Sequence, residues 1–377
     1  MGAGSSVTPR DDMHLVIVGG GYAGSYFAVQ MIKSGLCKVT LIDGRDAMFH
    51  SVGALRTVVD EDYIKYLFIP YDKMLGDSFT QGEVSDLDTA SKTLTLKDGK
   101  MVTYTHLVIA TGSSSSAFPS KMAVDTSVEE AKKLYSEYRK EVVAAKRVLM
   151  VGGGAVGVEL AGEIKTEFPD KEVTIVSSSD FLVTTRTKPA FQKNIMDCLV
   201  KKNITVIMND RVSNLDDLTL NKHVEGQVVK TTGGKELTAD LVIPCTGTTV
   251  NNQFFKQALA GALTESGTLE VNEYFQVKGH KEIYAMGDVT NVNEEKMAYT
   301  AKIHADLIKS NLLAEASDQT RKPYPGARVA MVVPVGRTGG AGQFMGMQLG
   351  DFAVKMFKAE DLFAKSIWSD LGMKLPQ

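Results

Sequence analysis

Six glycines stand in two copies of one spacing, Gly19, Gly21 and Gly24 in "GGGYAG" and Gly152, Gly154 and Gly157 in "GGGAVG". In G-x-G-x-x-G the first glycine makes a tight turn, the second lets a pyrophosphate approach the backbone, and the third lets helix and strand pack closely. The helix that follows offers free N–H groups and a partial positive charge to the phosphates. Asp43 ends "VTLID" downstream of the first copy, where a carboxylate can bond both hydroxyls of an adenosine ribose. The second copy leads to "VTIVSSSD", with Ser177 in the equivalent place and no adjacent arginine, so its spacing is compatible with NADH or NADPH.

Strands and helices must hold these residues. "HLVIV", a glycine turn, "SYFAVQMIKSG" and "KVTLID" read as a βαβ unit with Gly35 stopping the helix. "RVLMV", a glycine turn, "VELAGEIKTEF" and "EVTIVSS" repeat the order, with Pro169 and Asp170 breaking the helix. Asp98-Gly99 marks a hairpin, "GSSSSAFPS" from Gly112 a crossover loop, and "GGKELTADLVIPCTG" from Gly233 a second hairpin and strand. The expected fold class is α/β, with two Rossmann-like dinucleotide-binding domains. From about Lys322 the chain changes: prolines punctuate it, "GRTGGAGQFMGMQLG" is glycine-rich, and "DFAVKMFKAEDLFAKSIW" is amphipathic. This tail is expected to form a small α+β segment.

At 377 residues the chain exceeds the size at which one core stops growing. Its net charge of −3, without a basic block, argues against a nucleic-acid partner. Cys37, Cys198 and Cys245 lie far apart, with neither C-x-x-C nor metal-ligand spacing, which argues against a redox dithiol and a metal centre. No apolar run approaches the roughly 18 residues of a membrane span. "MGAGSS" fits the N-myristoylation pattern at Gly2 with Ser6, and a disordered leader explains it as well. One acyl chain without a basic cluster would bind membranes reversibly.

Two further segments, "HLVIATG" ending at Gly112 and "IYAMGD" ending at Asp288, resemble the secondary flavin motifs of the two-dinucleotide flavoprotein reductases over about residues 13 to 320. The resemblance implies an FAD domain at 13–115 and 238–320, an inserted NAD(P)H domain at 116–237, a flexible terminus at 1–12, and an acceptor-side, membrane-facing domain at 321–377. It places Gly19, Gly20, Gly21, Tyr22, Ala23, Gly24, Asp43, Arg56, Val84, Thr111, Gly112, Gly287 and Asp288 against FAD. Gly152, Gly154, Gly157 and Glu159 fall against NADH or NADPH. "MFHSVGALR", "GVELAGEIKTEFPDKEVT", "RVSNL", "KMAYTAKIHA" and "DLF…W" are similar to the ferroptosis-suppressor family, the myristoylated homologues of apoptosis-inducing factor. Ser51 and Gly53 depart from that family.

This closer resemblance implies an NAD(P)H-dependent reductase of ubiquinone and vitamin K type quinones. Its quinols would trap radicals at lipid surfaces, protecting against lipid peroxidation and ferroptosis. The expected location is the cytoplasmic face of the plasma membrane and lipid droplets, with a cytosolic pool, as monomer or homodimer. Glu159, His50 and Lys358 are the catalytic candidates, and Tyr299, Phe363 and Trp368, with Lys296 nearby, the substrate-side ones. Plainer readings stand beside them: a first-turn glutamate favoured by the helix dipole, a satisfied structural histidine, and an aromatic stripe that is core. Two other functions stay open on the same motifs, a reductase of a protein redox partner and a nucleotide-gated redox sensor resembling apoptosis-inducing factor.

Overall fold

The computed structural model describes residues 8–115, 120–121 and 126–377. Its first sheet is wholly parallel, in the order Ile283–Ala285, His106–Ile109, His14–Val18, Lys38–Asp43, Phe79–Gln81. Leu15, Val16 and Ile17 in the middle strand are fully buried, as befits a strand covered on both faces. The helix Tyr22–Ser34 covers one face and ends at Gly35, whose left-handed φ of 64° closes the last turn. The long helix Ala298–Ala316 packs against it.

The second sheet is also parallel, in the order Ile204–Ile207, Glu172–Val176, Arg147–Val151, Leu241–Pro244. Its covering helix, Ala155–Glu167, stops just before Pro169. The expected return to the first domain at residue 238 is corrected here. Leu241–Pro244 pairs with Val148–Val151, so the second sheet owns it, and its four buried residues complete that core. The chain crosses between domains on a short antiparallel ladder, Ser113–Ser114 against Thr249–Val250.

The tail forms three antiparallel strands, Ala330–Pro334, Gly340–Phe344 and Met347–Leu349. A helical turn Asp351–Val354, a π-turn Lys355–Ala359 and the helix Ala364–Asp370 follow. It docks on the second glycine helix so closely that a Cβ on Gly162 would lie 2.5 Å from the Gly336 nitrogen. One apolar core accordingly runs from Leu55 and Leu67 through Val158 and Ile164 to Val333 and Leu362. Among the described residues no helix is long and apolar enough to cross a membrane, and no cluster of three or more His, Cys, Asp or Glu could hold a metal ion.

Candidate active site

The two glycine turns share their local geometry. Gly19 and Gly152 adopt φ of +102° and +122°. A Cβ on Gly24 would sit 1.8 Å from the Gly19 carbonyl oxygen, and one on Gly157 would sit 2.1 Å from that of Gly152. Gly21 and Gly154 cap the helices, and a Cβ on either would meet nothing within 4 Å. Among the described residues no side chain caps either helix and no acid occupies either first turn, so both sets of N–H groups are free for an anion. These two open cradles fit dinucleotide pyrophosphates.

A cavity of about 650 Å³ joins the two units. Gly19, Gly21, Tyr22, Ala23, Asp43, Val84, Thr111, Gly112, Gly287 and Asp288 line one end of it. Ala155, Val156 and Glu159 of the second helix line the middle, with Lys296 and Tyr299, while Met331, Phe344, Lys358 and Phe363 bring in the tail. Gly152, Gly154 and Gly157 lie off this wall. Gly20 is also off it, because the Tyr71 hydroxyl donates to its carbonyl at 2.6 Å and the Asp43 Oδ2 accepts its N–H at 2.6 Å. Gly2 lies outside the described residues.

Electrostatics differ along the cavity. Asp43 is forked by Arg45, at 3.1 and 3.2 Å, so the ribose end carries a paired carboxylate. Asp288 accepts from the Ser113 hydroxyl at 2.6 Å and from Lys121 at 2.5 Å. Burial pushes its carboxyl up, and the Lys121 ammonium, the Ser113 hydroxyl and the Lys296 charge together outweigh that, leaving it below the usual carboxylate range. Behind it, Gly287 donates its N–H to His304 Nδ1 at 3.1 Å, and His304 Nε2 bonds Glu294 at 2.5 Å, which fixes the Gly287–Asp288 turn. Lys296 donates to the Thr290 and Val292 carbonyls at 2.9 and 3.0 Å. Arg45 and Lys121 had no motif to mark them; the only signal for Arg45 was a cation two residues after the ribose acid.

At the other end two catalytic candidates meet. Lys358 Nζ lies 2.7 Å from Glu159 Oε1 and 3.1 Å from the Val332 carbonyl oxygen, with both side chains buried. Burial raises the Glu159 carboxyl above its ordinary range although Lys358 pulls it down. One helical turn on, Glu163 shares that face and takes Arg56 in a bidentate pair at 2.8 and 3.1 Å.

Three expected site residues stand elsewhere. Arg56, expected against the flavin, is 1% exposed and off the cavity wall. A buried guanidinium needs partners for its whole fork, and it finds them in Glu163 and in the Ala359 and Glu360 carbonyls, at 2.7 and 2.8 Å. Trp368, expected on the substrate side, packs into the first domain's core and donates its indole N–H to the Tyr66 carbonyl at 3.0 Å. His50, expected as a relay near neutral pH, is fully buried one layer behind Tyr22. Its Nε2 faces the Leu362 carbonyl at 3.0 Å, which can only accept, so Nε2 carries the proton and Nδ1 accepts from the Tyr22 hydroxyl at 2.8 Å. Burial holds the imidazole down at about 4, so it is neutral at pH 7.

The turn that presents Phe363 is strained: Leu362 and Phe363 both have positive φ, 49° and 67°. For residues with a Cβ this costs about 1–2 kcal/mol each.

Two dinucleotide cradles, the first opening on a cavity that the helix of the second also lines, define a class, the flavin- and nicotinamide-binding oxidoreductases. Residues 13–305 match the pyridine nucleotide-disulphide oxidoreductase family, and the chain belongs to it. Within it, the chain is 37% identical to Ferroptosis suppressor protein 1 of Xenopus tropicalis, covering 99% of this chain and 100% of the relative. It is 35% identical to Ferroptosis suppressor protein 1 of Homo sapiens, over 97% of each. The sulfide:quinone oxidoreductase of Aquifex aeolicus shares the fold, with a TM-score of 0.76 and 17% identity over 96% of this chain and 92% of that one. The protein is an NAD(P)H-dependent flavoprotein oxidoreductase that uses FAD and NADH or NADPH.

Proposed function

We propose that this oxidoreductase reduces a lipid-soluble quinone of the ubiquinone or vitamin K type at a membrane or lipid-droplet surface, where the quinol traps radicals and protects against lipid peroxidation and ferroptosis. The observation that carries this is the cavity's continuity: it runs from the first glycine turn, past the second glycine helix, to an apolar end walled by Met331, Phe344 and Phe363. The reaction balances as NAD(P)H, a proton and quinone giving NAD(P)⁺ and quinol. The chemistry that bound FAD would supply is two-electron carriage between the nicotinamide and the acceptor.

The chain's own residues supply the rest. The first turn, Asp43 and Asp288 hold FAD, and the second turn holds the nicotinamide nucleotide. This division puts the first domain at about 13–115 and 249–320, the NAD(P)H domain between, and the acceptor-side tail after 320. Glu159 and Lys358 hold a shared proton at the junction of the three units, between Oε1 and Nζ, where a quinone oxygen gaining charge needs one. Phe363 and Tyr299 line the acceptor's path, and burial of Glu159 keeps water from competing for its proton.

The lipid surface is supported by the tail's exposed side chains: Phe352 at 78%, with Met345, Met347, Met356 and Phe357 also exposed. Soluble surfaces seldom gather apolar side chains so densely. A myristoylated Gly2 would be the second anchor that stable, regulated attachment needs, on the cytoplasmic face.

The deciding experiment is anaerobic stopped-flow spectroscopy of the FAD-loaded protein. NADH should bleach the flavin and a short-chain ubiquinone should restore it. A flavin that bleaches but is not reoxidised by quinone would transfer the activity to a protein acceptor or a redox sensor.

A further inference from the structure

Four consecutive carbonyls of the tail, 359 to 362, are each held by a side chain from one short stretch of the first domain. Arg56 Nη2 and Nη1 donate to Ala359 and Glu360 at 2.7 and 2.8 Å. The Tyr63 hydroxyl donates to Asp361 at 2.7 Å, and His50 Nε2 to Leu362 at 3.0 Å. Local hydrogen bonding completes the turn, since the Asp361 carboxylate accepts the N–H groups of Phe363 and Lys365 at 3.0 and 3.2 Å. Immediately after the last held carbonyl comes Phe363, on the cavity wall, in the second of two successive left-handed conformations.

Leucine and phenylalanine adopt that conformation only when their surroundings over-determine it. Here the over-determination has an identifiable source. A π-turn ending at Ala359 has already broken the regular helical ladder, and although the Asp361 carbonyl accepts the Ala364 N–H at 2.9 Å, the turn relies on side-chain donors for the rest. Three residues within 50–63 supply those donors. All three are buried, none of them lines the cavity, and the Arg56 fork is itself anchored by Glu163 on the second glycine helix. The position of one aromatic ring is thus referred to both dinucleotide domains.

We propose that Arg56, Tyr63 and His50 are positioning residues for the acceptor half of the reaction: by clamping carbonyls 359–362 they force the strained Leu362–Phe363 turn and fix the Phe363 ring where the acceptor must pass. The proposal rests on the reading of Phe363 as an acceptor contact. It gives a role to Arg56 that a flavin contact would not, and it makes no demand on Arg56, Tyr63 or His50 as proton carriers.

The test is a double-mutant cycle on FAD-loaded protein. Tyr63→Phe removes one clamp hydroxyl and keeps the ring packed on Tyr66, so the variant should fold; Arg56→Lys keeps the charge facing Glu163 but cannot hold two carbonyls. Both should speed amide hydrogen exchange in residues 360–364 and leave the rate of flavin reduction by NADH unchanged. Both should raise KM for short-chain ubiquinone by about three- to tenfold with a smaller change in kcat. Phe363→Ala should raise the same KM, and Tyr63→Phe added to it should raise it no further, because the clamp acts only through that ring.

If Phe363→Ala raises KM while Tyr63→Phe does not, or if the two effects add, the clamp is overturned and the acceptor site stands. If Phe363→Ala leaves quinone kinetics unchanged, the acceptor-side reading itself fails. Should Arg56→Lys not fold, Tyr63→Phe alone carries the cycle.

Discussion

His50 shows how burial sets a residue's chemistry. With both ring nitrogens bonded and its pKa lowered to about 4, it stays neutral where an unfolded-state histidine near 6.5 takes up a proton. Between those values the unfolded state binds more protons, so the contribution is fully present above about 6.5 and is lost as pH falls toward 4. Thermal midpoints of the wild type and His50→Gln, measured from pH 7.5 to 4.5, should converge as pH falls, with a difference on the order of 1–3 kcal/mol disappearing. Parallel profiles would mean that His50 titrates normally. The sequence told that a histidine followed the first βαβ unit, but not that Tyr22 and Leu362 would consume it. Likewise Glu159 and Lys358 were each visible alone. Their pairing spans 199 residues and exists only after the tail docks.

Among the elements, the glycine turns were the most legible, because their requirement is local. A positive φ and a missing Cβ can be read from spacing without knowing what packs nearby. Strand ownership was not legible in this way. Leu241–Pro244 reads as an apolar strand in either sheet, and only its pairing with Val148–Val151 assigns it. Arg56 was misplaced for a related reason, since a buried fork is claimed by Glu163 and by tail carbonyls that no local pattern announces. The division of labour between the two cradles is open to a direct check. Gly154→Val places a branched side chain where a pyrophosphate should approach, so it should raise KM for NADH by roughly tenfold or more while the flavin stays bound. Loss of the flavin absorbance from purified Gly154→Val would reverse the assignment of the two turns.

For the whole molecule, the question is what the tail faces. Phe352, just before the π-turn, and Phe357, within it, are mostly exposed to water, and burying a phenylalanine is worth about 1.5–3 kcal/mol. Unacylated protein should therefore co-sediment with neutral phosphatidylcholine vesicles. The double variant Phe352→Ser/Phe357→Ser should bind at least about tenfold more weakly and keep its rate with a water-soluble quinone. Equal sedimentation of the two proteins would remove the lipid surface from the tail's role.

The crossover ladder at Ser113–Ser114 and Thr249–Val250 also has a consequence for how the chain is made. The first sheet's edge strand, Ile283–Ala285, and the helix Ala298–Ala316 that covers its glycine helix emerge from the ribosome only after the whole inserted domain. At about 5–20 residues per second, the N-terminal strands wait many seconds with an open edge and a half-covered apolar face. The second domain, contiguous in sequence, can close first and then serve as the surface on which the older half of the chain finishes folding. A nascent chain exposed as far as residue 260 would present a completed nicotinamide domain tethered to an unfinished flavin domain, the form in which this protein most needs a chaperone.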